Sequence, residues 1–188
     1  MKGNARPSLF DTTAAFDDPL EMLLTCHRRI EKQLQTLERL RVHLHSHGVD
    51  ADASGAAQGL LRYFTRSAVD HHADEESDLF PLLEVRITEP RERERFIALR
   101  EALELEHRDV EAQWARLRKP LEGIAEGLTR SLAEADVRAF AGAYTKHIRA
   151  EEAAFQEFFD RWVGPEDRKA LGRSMSARRA VEFRHKPY

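Results

Sequence analysis

The chain has 188 residues, of which 41% are hydrophobic and 34% charged, a balance that fits one soluble, mainly helical domain with a sizeable core. A net charge of −3 and a pI near 6.3 speak against bulk nucleic-acid binding. Cys26 is the single cysteine, which excludes an intrachain disulfide and a thiolate metal cluster, and no apolar run approaches the roughly 18 residues needed to span a bilayer.

In chain order, residues 1–16 show no sustained period and read as an N-terminal arm whose Leu9 and Phe10 pack on the body of the fold. They lack a secretory apolar core, so a reducing cytoplasm is the expected location. Asp18-Pro19-Leu20-Glu21 starts the first helix, with Asp18 as cap and Pro19 in the first turn. Its inward stripe is Leu20, Leu23, His27, Ile30, Leu34, Leu37 and Leu44, and Gly48 supplies the closing cap. Residues 49–55 read as a loop by composition. A second helix is expected from Ala56 to Arg86, with Leu61, Phe64, Ala68, His71, Glu75, Leu79 and Leu82 inward and a kink or break at Pro81. The third opens at Thr88-Glu89-Pro90, with Phe96, Leu99, Leu103, His107, Val110, Trp114 and Leu117 inward, and ends or bends at Pro120. Residues 120–130 read as an irregular turn. Ser131 with Glu134 forms a capping box for the fourth helix, whose stripe is Val137, Phe140, Tyr144, His147, Glu151, Phe155, Phe158 and Trp162. Gly164-Pro165 ends it. The remainder, 164–188, carries seven Lys/Arg against three Asp/Glu and reads as a basic tail, with Ala170, Leu171 and Met175 able to dock a short helix.

Four helices with short connections predict an all-α, up-down-up-down four-helix bundle. Each helix places one histidine mid-length on its apolar face, and two add a glutamate four residues on, one turn along the same face. A lone histidine on such a face is usually a hydrogen-bonded core residue. Four at one depth, with two carboxylates, form a donor set: His27, His71, Glu75, His107, His147 and Glu151. Six donors exceed one four-coordinate zinc and suit two metals bridged by the carboxylates, with two histidines each.

Residues 18–163 resemble the hemerythrin-like, or HHE cation-binding, domains, most specifically in His71-His72-Ala73-Asp74-Glu75-Glu76 leading to Leu79-Phe80-Pro81, in Glu106-His107, and in His147-Ile148-Arg149-Ala150-Glu151-Glu152. The resemblance implies a non-haem diiron centre with His27, His71, His107 and His147 as terminal ligands and Glu75 and Glu151 bridging. The expected organisation is an arm at 1–16, a diiron bundle at 17–163 and a basic tail at 164–188. Oxygen-carrying members use a fifth histidine on the third helix, where this chain has Glu111. Members linked to repair of iron centres under stress carry an extra cysteine-bearing N-terminal domain that this sequence lacks.

Two irons with open positions would bind dioxygen, nitric oxide or peroxide, and ligand type alone also admits manganese or zinc. The expected function is binding or sensing of dioxygen, nitric oxide or iron; the alternative is a diiron peroxidase, oxidase or nitric-oxide reductase, or repair of iron centres. No nucleic-acid or membrane partner is expected, and the sequence carries no signal for oligomeric state. Phe64, Trp114, Tyr144 and Phe155 can wall a small dry pocket or serve as plain core. Tyr144, one turn before His147, can support the ligands or donate an electron. His72, Asp74 and Glu76 lie off the main stripe, with Glu76 exchanging for Glu75 only if the register shifts. His43, His45 and His47 suit the negative end of the first helix, and Cys26 suits a small apolar packing role.

Overall fold

A computed structural model describes residues 18–184, all-α, with five helices joined by short turns. The proposed arm at 1–16 lies outside the described residues. Helix α1 is Pro19–His47. Helix α2 is a single rod over 51–86 in which two π-helical turns, Tyr63–Ser67 and Glu75–Leu79, interrupt the α-helical winding. Helices α3, α4 and α5 are Pro90–Ala125, Glu134–Trp162 and Pro165–Arg184. Helices α1 and α3 each pack on both α2 and α4, and α5 lies against α1 and α2. Among the described residues no helix is long and apolar enough to cross a membrane.

Asp18 caps α1 as its position suggests, accepting from the backbone N–H of Leu20 at 3.0 Å and of Glu21 at 3.3 Å. Gly48 closes that helix at a φ of +76°, which side-chain-bearing residues rarely adopt, and its N–H returns to Leu44 at 3.1 Å. The loop expected at 49–55 is largely helix. Asp50 accepts from the N–H of Ala53 at 2.8 Å and starts α2 at Ala51, because an N-cap outweighs one glycine inside the first turns.

Pro81 does not break α2. The π turn just before it has already shifted the hydrogen-bond ladder, with the N–H of Phe80 reaching Glu75. Pro120 likewise sits inside α3, which runs on to Ala125 with Leu121 and Ile124 buried. The Ser131 capping box does not form: Ala133 is the N-cap residue and α4 begins at Glu134 with no side-chain cap. The inward stripe of α2 also differs. Leu60 and Leu83 are buried where Leu61 and Leu82 were expected. On an α-helix His71, Glu75, Leu79 and Leu83 would drift by about 120° around the axis. The wider π turn removes that drift and keeps all four inside.

The core has two apolar halves. One is built around Ile30, Leu37, Leu60, Phe64, Val110, Phe140 and Tyr144. The other is built around Leu23, Leu79, Phe80, Phe96, Leu103, Phe155 and Phe159. Between them lies a buried polar layer containing His27, His71, His72, Glu75, His107, His147 and Glu151.

The region expected as a short docked piece is a 20-residue helix. Leu171 and Met175 are buried, whereas Ala170 is exposed. Its anchor is polar. Arg178 and Arg179 both pair with the fully buried carboxylate of Asp74, Arg179 at 2.5 Å, and Arg178 also holds Asp78 at 2.8 Å. Burial pushes the Asp74 carboxyl up, and the two guanidiniums oppose that shift. Removing both cations leaves a buried charge unpaired. The R178A/R179A double variant is expected to lose about 3–5 kcal/mol in urea unfolding, and adding Asp74→Asn should recover much of it. Equal stability of the double variant and the parent would remove the anchoring role.

Candidate metal centre

All six donors inferred from the sequence converge in the polar layer, each 1% exposed or less. His27 comes from α1, His71 and Glu75 from α2, His107 from α3, and His147 and Glu151 from α4. They fall into two groups, His27–His71–Glu75–Glu151 and Glu75–His107–His147–Glu151, within each of which one donor atom per residue lies within 4.8 Å of the others. Glu75 and Glu151 belong to both. One oxygen of Glu151 lies 3.0 Å from His27 Nε2, and the other lies 3.1 Å from His147 Nε2 and 3.6 Å from His107 Nε2. Glu75 divides likewise, with one oxygen 3.4 Å from His71 Nε2 and the other 3.3 Å from His107 Nε2.

These contacts are close but poorly aligned. Both oxygens of Glu75 and of Glu151, and Nε2 of His27 and of His71, have no hydrogen-bond partner. Buried donors and acceptors normally find partners, and leaving several bare is costly. Lone pairs turned toward a common point fit a shared cation, and imidazole nitrogen with carboxylate oxygen is a donor set for a divalent transition metal.

The outward nitrogens extend the pattern. His107 Nδ1 lies 2.5 Å from Glu76 Oε1, and His27 Nδ1 lies 3.1 Å from Glu152 Oε1. His147 Nδ1 is 3.4 Å from Glu106 Oε2, though not aligned for a hydrogen bond. An ionised carboxylate only accepts, so it keeps the proton on Nδ1 and leaves Nε2 free as a ligand. Glu76 therefore does not replace Glu75. The first carboxylate of each Glu-Glu doublet faces the centre, and the second reaches across to a histidine on another helix. The doublets were visible in the sequence, but not this division of roles. Nδ1 of His71 has no such partner.

Ionisation follows from this crowding. Burial opposes protonation of His27, but Glu151, Glu75 and Glu152 outweigh it and lift its pKa to about 8. His107 is lifted to about 11, against burial, by Glu151, Glu75 and Glu76. Burial and the charge of Glu151 raise Glu75 to about 7. Burial also works to raise Glu151, but the close imidazoles of His107, His147 and His27 hold it well below the carboxylate range. Burial, reinforced by His27, keeps His71 neutral. Each donor group thus carries one imidazolium where a cation would sit.

Of the weaker candidates, His72 is buried at 7% exposure, and Asp74 faces α5 rather than the centre. Cys26 is part-buried with Arg179 Nη2 3.8 Å away, and burial raises its thiol, which lowers its reactivity. His43 pairs with Asp50 at 2.9 Å and stacks on His47. Phe64, Trp114 and Tyr144, with Phe140, Val110 and His72, help line a cavity of about 40 Å³. Phe155 packs in the other apolar half against Phe80.

Fold and donor set together define a cation-binding, all-α domain. Residues 18–159 match the hemerythrin HHE cation-binding domain, and the chain belongs to that family. It is also similar to an uncharacterized protein of Haemophilus influenzae, 30% identical over 169 residues that cover 90% of this chain and 94% of the relative.

Metal binding must expel the protons on His27 and His107, and part of that on Glu75. Both histidines hold protons at pH 7, so metal affinity is expected to rise with pH between 6 and 8, with roughly two protons released in all when both donor groups fill. Calorimetry in two buffers of different ionisation enthalpy counts them, and a pH-independent affinity would contradict the assignment. Glu76→Gln and Glu152→Gln should each weaken metal binding about 10–100-fold without unfolding the protein, read by competition with a chromophoric chelator.

Proposed function

We propose that the chain is a non-haem diiron protein that binds or senses a small ligand, dioxygen or nitric oxide, at a carboxylate-bridged site of four histidines and two glutamates. The observation that carries this reading is the pair of donor groups sharing Glu75 and Glu151. Sharing by two carboxylates is what a bridged two-metal site requires, and it explains six donors where one metal needs fewer. In this reading α1 to α4 run up-down-up-down, each lending one histidine.

Bound iron would supply open positions and redox capacity toward dioxygen, nitric oxide or peroxide. The chain's own residues do the rest. Glu75 and Glu151 fix the spacing of the two groups. Glu76 and Glu152 set the tautomers of His107 and His27. The apolar halves above and below exclude bulk water. The 40 Å³ cavity includes exposed Val69 and Glu111 in its lining, so it reaches the surface. A water needs roughly 10–15 Å³ on this measure. A cavity of this size suits a diatomic or peroxide, which supports small-ligand binding.

The test is elemental analysis of anaerobically purified protein with visible spectra before and after air or nitric oxide. About two irons per chain are expected, with a new near-ultraviolet band and stoichiometric uptake of ligand. His71→Ala and His147→Ala should each lose iron, and retention of parent iron by both would sink the reading. Sustained consumption of peroxide or nitric oxide would instead make the protein an enzyme.

A further inference from the structure

His72 follows a residue of the donor set and is itself buried, but neither bridges nor belongs to the inward line of α2. One nitrogen each of His72, His107 and His147 lies within 4.8 Å of the others. The His72 ring stacks on His107, with centroids 4.0 Å apart and planes 12° from parallel, and it meets His147 edge-on at 5.8 Å. Among the described residues its one side-chain hydrogen bond is a long contact of 3.5 Å between Nε2 and the Tyr144 hydroxyl. Three helices thus deliver three imidazoles to one side of the centre, beside Glu75 and Glu151.

We propose that His72 is a further protein ligand of the metal held by Glu75, His107, His147 and Glu151. The proposal rests on the two-metal reading above. The ring turns toward that metal about Cβ–Cγ, a torsion with broad wells, and gives up the long contact to Tyr144 and its parallel stack on His107. The assignment makes the two positions unequal. His27, His71, Glu75 and Glu151 give one metal four protein donors, while the other receives five. It also explains why an imidazole stands in the lining of a mostly apolar cavity, where Phe64, Val110, Trp114 and Phe140 would accept a leucine or phenylalanine.

The test titrates cobalt(II) alone into the parent and into His72→Gln, His72→Gly and His71→Ala, reading affinity by calorimetry and coordination by the visible d–d bands. In the parent two equivalents bind. In both His72 variants one equivalent should weaken roughly tenfold or more with altered bands, while the other keeps its parent affinity. Free imidazole should restore the parent bands in His72→Gly, which a packing role would not produce. His71→Ala should affect the opposite equivalent. Two equivalents bound by both His72 variants with parent affinity and bands would overturn the proposal. So would His72→Gln losing both equivalents together with its helical circular dichroism, which would make the role structural. A parent that takes up no cobalt would overturn the two-metal reading itself, and the ligand role of His72 with it.

Discussion

Two carboxylates buried side by side, with no hydrogen-bonding partner aligned on either, constrain this protein more than any other feature. Moving an ionised carboxylate out of water costs several kcal/mol even after relaxation, and placing two together adds their repulsion. Only nearby positive charge makes the arrangement tolerable. In the metal-free chain that charge is the imidazoliums of His27 and His107. In the two-metal reading proposed above, a pair of divalent cations would meet the same need more fully, because it would also take up the lone pairs left bare. The layer of charge in turn requires dry walls, and the two apolar halves of the core supply them.

The burden of placing these groups falls on α2. It must turn His71 and Glu75 to one centre, keep Leu79 and Leu83 in the core and carry Pro81, and regular α-helical winding does not do all three. The π turn at Glu75–Leu79 resolves the conflict, beginning at the glutamate itself. On the outer side of the same stretch, Asp74 and Asp78 are tied to Arg178 of α5. The C-terminal helix thus braces the segment whose winding is least regular, one residue from a donor to both groups.

Spacing made the donor set legible. Histidines at apolar positions of four helices, two followed by glutamate one turn on, need no tertiary information to be noticed. The caps at Asp18 and Gly48 were legible for the same local reason. The misjudged features depend on competition between local signals. Asp50 as a cap outweighed the glycine that made 49–55 look like a loop. Pro81 and Pro120 looked like breaks because their cost was read without the packing on either side. The π turns left no compositional mark, so Leu61 and Leu82 were taken for Leu60 and Leu83. Asp74 looked like a ligand's neighbour because its partners lie more than 100 residues away. The charge of the C-terminal segment was plain, but a solvated tail and an anchored helix share the same composition.

The two donor groups are related but unequal. Helices α2 and α4 each carry a histidine, a shared glutamate and a second glutamate that orients a histidine on a neighbouring helix. The likeness stops at the outer nitrogens. In one group His107 holds Glu76 through Nδ1, and His147 has Glu106 only 3.4 Å from its Nδ1, though not aligned for a hydrogen bond. In the other, His27 has Glu152 while His71 has no partner there. A carboxylate at the outer nitrogen raises the basicity of the inner one, so the His107–His147 group is the more electron-rich, and on the assignment of His72 proposed above it gains a further donor. On that assignment a site built from near-repeats has a direction: one position is heavily supplied with donors, and its companion, at His27 and His71, is left with fewer.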